Sequence, residues 1–456
     1  MTKPKEKKIT GPTSSLLWGI ILLFILAACT SSGSEPAPTG ANDSITAGEV
    51  QEQEEARPTT QPEPAQTNSN EETAETETEI SPETAETSGG EPIVTEDGLV
   101  IFTVDDRGER LRSLTRTWNT NWNLHTIDYS EILSGGPPRD GIPSIDDPKF
   151  ITPEEAATWL ADNEPVIAFE WNGDARAYPL QILTWHEIVN DIVGDLPVLI
   201  TFCPLCNSAI VFDRTINGET FEFGTSGLLR NSDLVMYDRT TESLWQQLTG
   251  DAIVGDMVGT RLKFLPSSLI SFADFREAHP NGKVLSRDTG YNRRYGENPY
   301  VGYDQIGQNP FLFTGPIDGR LPAMERVVTV SLNDTDVAYP LSVLSELGVI
   351  NDTINDTAVV VFHKPGTASA LGAQIIAQAE DVGATGVFER TVDDQTLTFR
   401  RDGDNFVDEE TGTTWNILGQ AITGPLAGTQ LTPVVHGDHF WFSWAAFKPD
   451  TIIYTP

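Results

Sequence analysis

The sequence predicts an α+β fold in which β predominates, arranged as two homologous lobes from an internal duplication. Three observations predict it. Blocks of residues recur in the same order in the C-terminal half of the chain. Short runs rich in β-branched and aromatic residues, broken by Gly, Asn and Asp turns, fill most of the folded part. A Pro-initiated helical segment sits at the corresponding place in each copy.

The repeat opens with Glu164-Pro165-Val166 and Ala177-Tyr178-Pro179-Leu180, answered by Glu325-Arg326-Val327 and Ala338-Tyr339-Pro340-Leu341. Val189-Asn190-Asp191 then matches Ile350-Asn351-Asp352, and Asp238 with Trp245 matches Asp408 with Trp415. The string Ala252-Ile253, Gly255, Gly259-Thr260, Leu262 returns as Ala421-Ile422, Gly424, Gly428-Thr429, Leu431. Phe275 and Pro280 pair with Trp444 and Pro449. Lobe one is assigned to 164–285 and lobe two to 325–456. Residues 92–163 form an N-terminal extension, and 286–324 form a Tyr-rich connection.

Within lobe one, strand-like runs at 166–170 and 175–178 flank Asn172-Gly173, a hairpin signal. Pro179 then starts a helix, where its missing N–H costs nothing. The 3–4 spacing of Ile182, Leu183, His186 and Val189 puts them on one inward face of that helix. Strands are expected at 198–202, 209–212 and 220–223.

The N-terminus reads as a lipoprotein leader. Lys3, Lys5, Lys7 and Lys8 precede an apolar run from Leu16 to Ala28, and Leu26-Ala27-Ala28-Cys29 follows the pattern of a lipidated cysteine. The run is too short for a spanning helix, which needs about 20 apolar residues. Residues 1–28 are therefore read as a signal peptide, with Cys29 lipidated and the chain held on the extracytoplasmic face of the cell membrane. Residues 29–91 read as a disordered acidic tether. Between Ser31 and Glu91 there are fifteen Asp or Glu, one Arg57 and no aromatic residue, so little apolar surface offsets chain entropy. A whole-chain formal charge of −38 repels phosphate backbones, and no nucleic-acid partner is expected.

Apart from Cys29, the cysteines are Cys203 and Cys206, too few for a disulfide scaffold. Cys203-Pro204-Leu205-Cys206 lies between two strand-like runs, the form of a metal knuckle. A redox CxxC sits instead at a helix N-terminus. His186, inward on the preceding helix, is the natural companion. At the matching places lobe two carries Leu347, His363 and Gly366, so the three candidate ligands change as a set while the scaffold persists. Two thiolates and an imidazole suit zinc or copper with a position left open. A plain disulfide, or two buried thiols without a partner, are the bland alternatives. Weaker candidates are Tyr291, Tyr295, Tyr300 and Tyr303 as a ligand cleft between lobes, and His436-Gly437-Asp438-His439 as a second metal pair. The competing functional reading is a non-catalytic binding module with a minor structural CxxC.

Three motifs carry a family resemblance. Trp185-His186-Glu187-Ile188-Val189-Asn190-Asp191, Thr201-Phe202-Cys203-Pro204-Leu205-Cys206-Asn207 and Asn231-Ser232-Asp233-Leu234-Val235-Met236-Tyr237-Asp238-Arg239 occur in this order. Over residues 138–456 the chain resembles the uncharacterised bacterial and archaeal proteins catalogued as domain of unknown function 3179. The resemblance implies a common domain and assigns no activity.

Overall fold

A computed structural model describes residues 90–456. The leader, Cys29 and nearly all of the tether lie outside the described residues. Within them strands predominate, and no helix is longer than seven residues. None is long and apolar enough to cross a membrane.

The first hairpin forms where its turn signal stands. Pro165–Trp171 pairs antiparallel with Asp174–Pro179, and Asn172 and Gly173 both take positive φ, 51° and 78°. Those values give the turn whose twist matches the two strands. Pro179 (φ −62°) then leads into the helix Leu180–His186.

That helix stops earlier than its periodicity suggests. Glu187 takes φ 59° and ψ −30°, and the chain turns into a strand, Ile188–Val193, paired with Leu196–Cys203. Val189 therefore belongs to a strand and not to the helix face. Ile182, Leu183, His186 and Val189 are nevertheless all fully buried. The strand expected at 220–223 is also displaced, since Glu219–Thr220 and Phe223–Arg230 are separate strands.

The two halves share strand order. Ser268–Ser271, Pro165–Trp171, Asp174–Pro179 and Lys283–Leu285 lie side by side, the last pair parallel. His436–Phe440, Arg326–Leu332, Thr335–Pro340 and Ile452–Ile453 do the same. Trp245 and Trp415 are both fully buried, and their indole N–H groups donate to Asp238 and Asp408 at 3.0 and 2.9 Å. Tyr178 donates to Asp191 at 2.6 Å, as Tyr339 does to Asp352 at 2.9 Å.

One expected correspondence is off by a residue. Ile188 pairs with Thr201 just as Val349 pairs with Phe362. Phe202 therefore stands with His363, and Cys203 with Lys364, not with His363. The short turn between Cys203 and Ser208 is replaced by a long loop, 365–383, so Gly366 is not a positional match for Cys206 either.

The N-terminal extension is woven into the first half. Leu124–His125 and Ile132–Ser134 join the sheet that holds Phe223–Arg230 and Asp233–Asp238, and Phe150–Ile151 pairs with Lys283–Leu285.

Candidate metal centre

Cys203 ends the strand Leu196–Cys203, and Ser208 pairs with it to open the next. Between them Cys206 N–H donates to Cys203 C=O at 3.2 Å and Asn207 takes φ 51°. This is a tight knuckle between two strands. Both thiols are buried, and they are not bonded to each other.

The third member is Asp233, at the start of Asp233–Asp238. Donor atoms of Cys203, Cys206 and Asp233 all lie within 4.8 Å of one another. Asp233 Oδ2 accepts from Gln246 Nε2 at 2.5 Å and from Leu248 N–H at 2.9 Å, which fixes the carboxyl. Its Oδ1 is buried with no hydrogen-bond partner among the described residues. An unmet buried acceptor costs about 1–3 kcal/mol, so this oxygen is available to a cation.

Glu187 adds a second buried carboxyl. The residue is 8% exposed, and its charge is felt by Cys203 and Tyr300. Its φ of 59° is one that glycine adopts freely, and Gly348 occupies the same place in the second half at φ 73°. A side chain there costs about 1–2 kcal/mol. The first half carries that strain and gains a buried carboxyl whose charge acts on Cys203.

The electrostatics of the group are one-sided. Burial pushes Glu187 up to about 8, helped by the Asp233 charge, and burial raises Asp233 to about 6. Burial also raises the Cys203 thiol and raises Cys206 strongly, and the Asp233 charge adds to the effect on both. Four acidic groups thus share a desolvated space and disfavour one another's ionisation. A bound cation reverses that balance.

His186 is not part of this group. Its Nδ1 bonds the Pro143 carbonyl at 2.7 Å and its Nε2 bonds the Tyr295 hydroxyl at 2.6 Å. Burial holds the ring neutral, with its pKa lowered to about 4. The inward direction read from helical spacing is correct, but its partners are a carbonyl and a phenol.

The four tyrosines divide. Tyr295, Tyr300 and Tyr303 pack on the core, and the Tyr295 hydroxyl also meets Thr289 at 2.6 Å. Tyr303 accepts from Phe311 N–H at 3.1 Å. Tyr291 is exposed and lies over the His186 ring, 5.4 Å between centroids. His436 and His439 fall in one strand, His436–Phe440. Both line one cavity, and neither belongs to a group of three or more candidate metal ligands among the described residues.

Asp233 is the member of the cluster that sequence spacing does not single out, although it sits within a quoted motif. The hairpin that carries it is longer than its counterpart in the second half, Phe223–Arg230 with Asp233–Asp238 against Phe399–Asp402 with Asn405–Asp408. The added length was the available signal.

No curated protein and no solved structure matches the chain. A family model does, over residues 139–451, and its description is Protein of unknown function (DUF3179). That match spans most of the chain and contains Glu187, Cys203, Cys206 and Asp233, so the protein belongs to this family of unknown function.

Proposed function

We propose that Cys203, Cys206 and Asp233 bind a soft or borderline cation, zinc or copper(I), in a buried centre of two thiolates and one carboxylate. The observation that carries this reading is the convergence of three deprotonatable donors within 4.8 Å, all buried. Thiolate ligands select such ions. Glu187 supplies a further carboxyl in the same acidic space. His186 enters the coordination shell only by releasing Tyr295 or Pro143, so in this reading it supports the site and does not ligate.

The test is elemental analysis of untagged protein, purified with and without thiol reductant. About one equivalent of zinc or copper is expected. Cys203→Ser, Cys206→Ser and Asp233→Asn should each lower retention at least tenfold, and His186→Ala should leave it within about threefold. Metal-free wild type that takes up neither ion would overturn the proposal.

A thiol-redox reading has one observation in its favour, the placing of both sulfurs within 4.8 Å of each other. Their raised pKa values weigh against rapid exchange, because the thiolate is the attacking form. Alkylation and mass measurement without reductant would reveal a disulfide in place of two free thiols.

We also infer an internal duplication, supported by the shared strand order, the paired Trp–Asp bonds and the paired Tyr–Asp bonds. In this reading one copy kept the scaffold and lacks the centre. The leader pattern and Cys29 support placement on the extracytoplasmic face of a membrane, attached by lipid.

A further inference from the structure

A cavity away from the thiols offers a different chemistry. Its volume is about 360 Å³, within the range of small-molecule sites. The first half contributes Glu170, Trp171 and His279, and the second half contributes Leu418, Gln420 and Gln430. Cys203, Cys206 and Asp233 do not reach it.

The indole is the aromatic surface held open here. Phe169, Phe275 and Phe388 also line the cavity but are buried, whereas Trp171, at the end of the strand Pro165–Trp171, is 36% exposed. Its N–H donates to Asp195 at 3.1 Å, and Asp195 also accepts from Asn172 at 2.8 Å. Asp195 is not part of the cavity wall. The ring is therefore fixed through its N–H and leaves carbon surface to the cavity.

Polar groups of both kinds stand around it. Gln420 and Gln430 face each other across an antiparallel bridge. Gln420 Oε1 accepts from Asn416 at 2.8 Å, while its amide N–H groups have no partner among the described residues. Gln430 Nε2 donates to the Leu418 and Leu431 carbonyls at 2.8 and 3.0 Å, and its Oε1 has no partner among the described residues. The Glu170 side chain, 46% exposed and 3.7 Å from His279 Nδ1, is a second acceptor. Donors and acceptors beside an indole suit a ligand that carries several hydroxyls on a body with an apolar face.

A counterpart cavity of about 450 Å³ lacks this set. There the halves exchange roles, with Ser331, Trp444 and Lys448 from the second and Leu248, Asp251 and Arg261 from the first. Asp251 and Arg261 are bridged as Gln420 and Gln430 are, but their side chains are closed on each other as an ion pair. Leu332 stands in its strand where Trp171 stands in the first half, and it does not line that cavity.

We propose that the cavity at Trp171 binds a neutral mono- or disaccharide. The C–H face of a sugar ring lies on the indole, and its hydroxyls bond Gln420, Gln430 and Glu170. Each hydroxyl both donates and accepts, so neighbouring hydroxyls match the neighbouring amides.

Calorimetric titration of the full chain with maltose, cellobiose and N,N′-diacetylchitobiose tests this. At least one should bind with a Kd of about 1 mM or tighter. Trp171→Ala and Gln420→Leu should each weaken that sugar at least tenfold, and Trp171→Phe, which keeps an aromatic ring, should weaken it less. Arg261→Ala, in the counterpart cavity, should leave its affinity within about threefold. No binding of any of the three sugars, binding that survives Trp171→Ala, or a folded Arg261→Ala that no longer binds would each overturn the proposal. The titration of the unaltered chain decides even where a variant fails to fold.

Discussion

Glu187 is a residue kept against the preference of its own backbone. Replacing it with glycine relieves the positive φ and removes an unpaired buried carboxyl, so Glu187→Gly should stabilise the metal-free protein by about 1 kcal/mol or more. Urea unfolding of the two forms measures it, and a loss of stability would show that Glu187 serves the fold instead. The buried histidines give a pH signature. His186 and His439 are held down to about 4 and about 3 from an ordinary 6.5. The unfolded chain protonates first, so the stability they contribute is complete above pH 6.5 and is lost as pH falls through 4 toward 3. Glu187 and Asp233, with raised pKa values, act in the opposite direction, so variants must isolate the histidine part. His439→Phe should flatten the decline of the urea midpoint between pH 6.5 and 4.5.

The buried Trp–Asp pairs invite a matched experiment at the level of the hairpin. Asp238 and Asp408 each accept an indole N–H and a threonine hydroxyl. Asp238→Ala and Asp408→Ala should each cost about 2–4 kcal/mol through unmet buried donors. Costs equal within about 1 kcal/mol, read from thermal or urea unfolding, are expected if the hairpins are equivalent. Elements of this kind were readable from the chain where local chemistry dictates them, as at Asn172-Gly173 and Pro179. The end of the helix at His186 was not, because its apolar spacing runs on through Val189 while Glu187 turns the backbone. Nor were the partners of His186, which lie 43 and 109 residues away in sequence. The place of Asp233 beside the thiols depends on hairpin register, which spacing alone does not encode.

At the scale of the whole molecule, attachment by lipid is the part of the proposed function that one substitution tests. The stretch from Ser31 to Glu91 carries fifteen Asp or Glu and no aromatic residue, and it follows the cysteine proposed to carry a lipid. On the proposed lipid attachment, Cys29→Ala should move the protein from the detergent phase to the aqueous phase on phase partition. Wild type that stays aqueous would show that no lipid is attached.

The knuckle is also clasped from across the molecule. Phe440 N–H and Ser443 Oγ both donate to the Cys206 carbonyl, at 2.9 and 3.5 Å, and the Asn207 side chain donates to the Asp438 carbonyl at 3.3 Å. Phe440 caps the helix Trp441–Phe447, which carries two buried indoles, Trp441 and Trp444. Two indoles thus sit on the element that contacts the knuckle. If an ion binds at the proposed centre and draws on the sulfurs, the Cys206 carbonyl should shift against this helix, and loading should register as a change in tryptophan emission without any added dye.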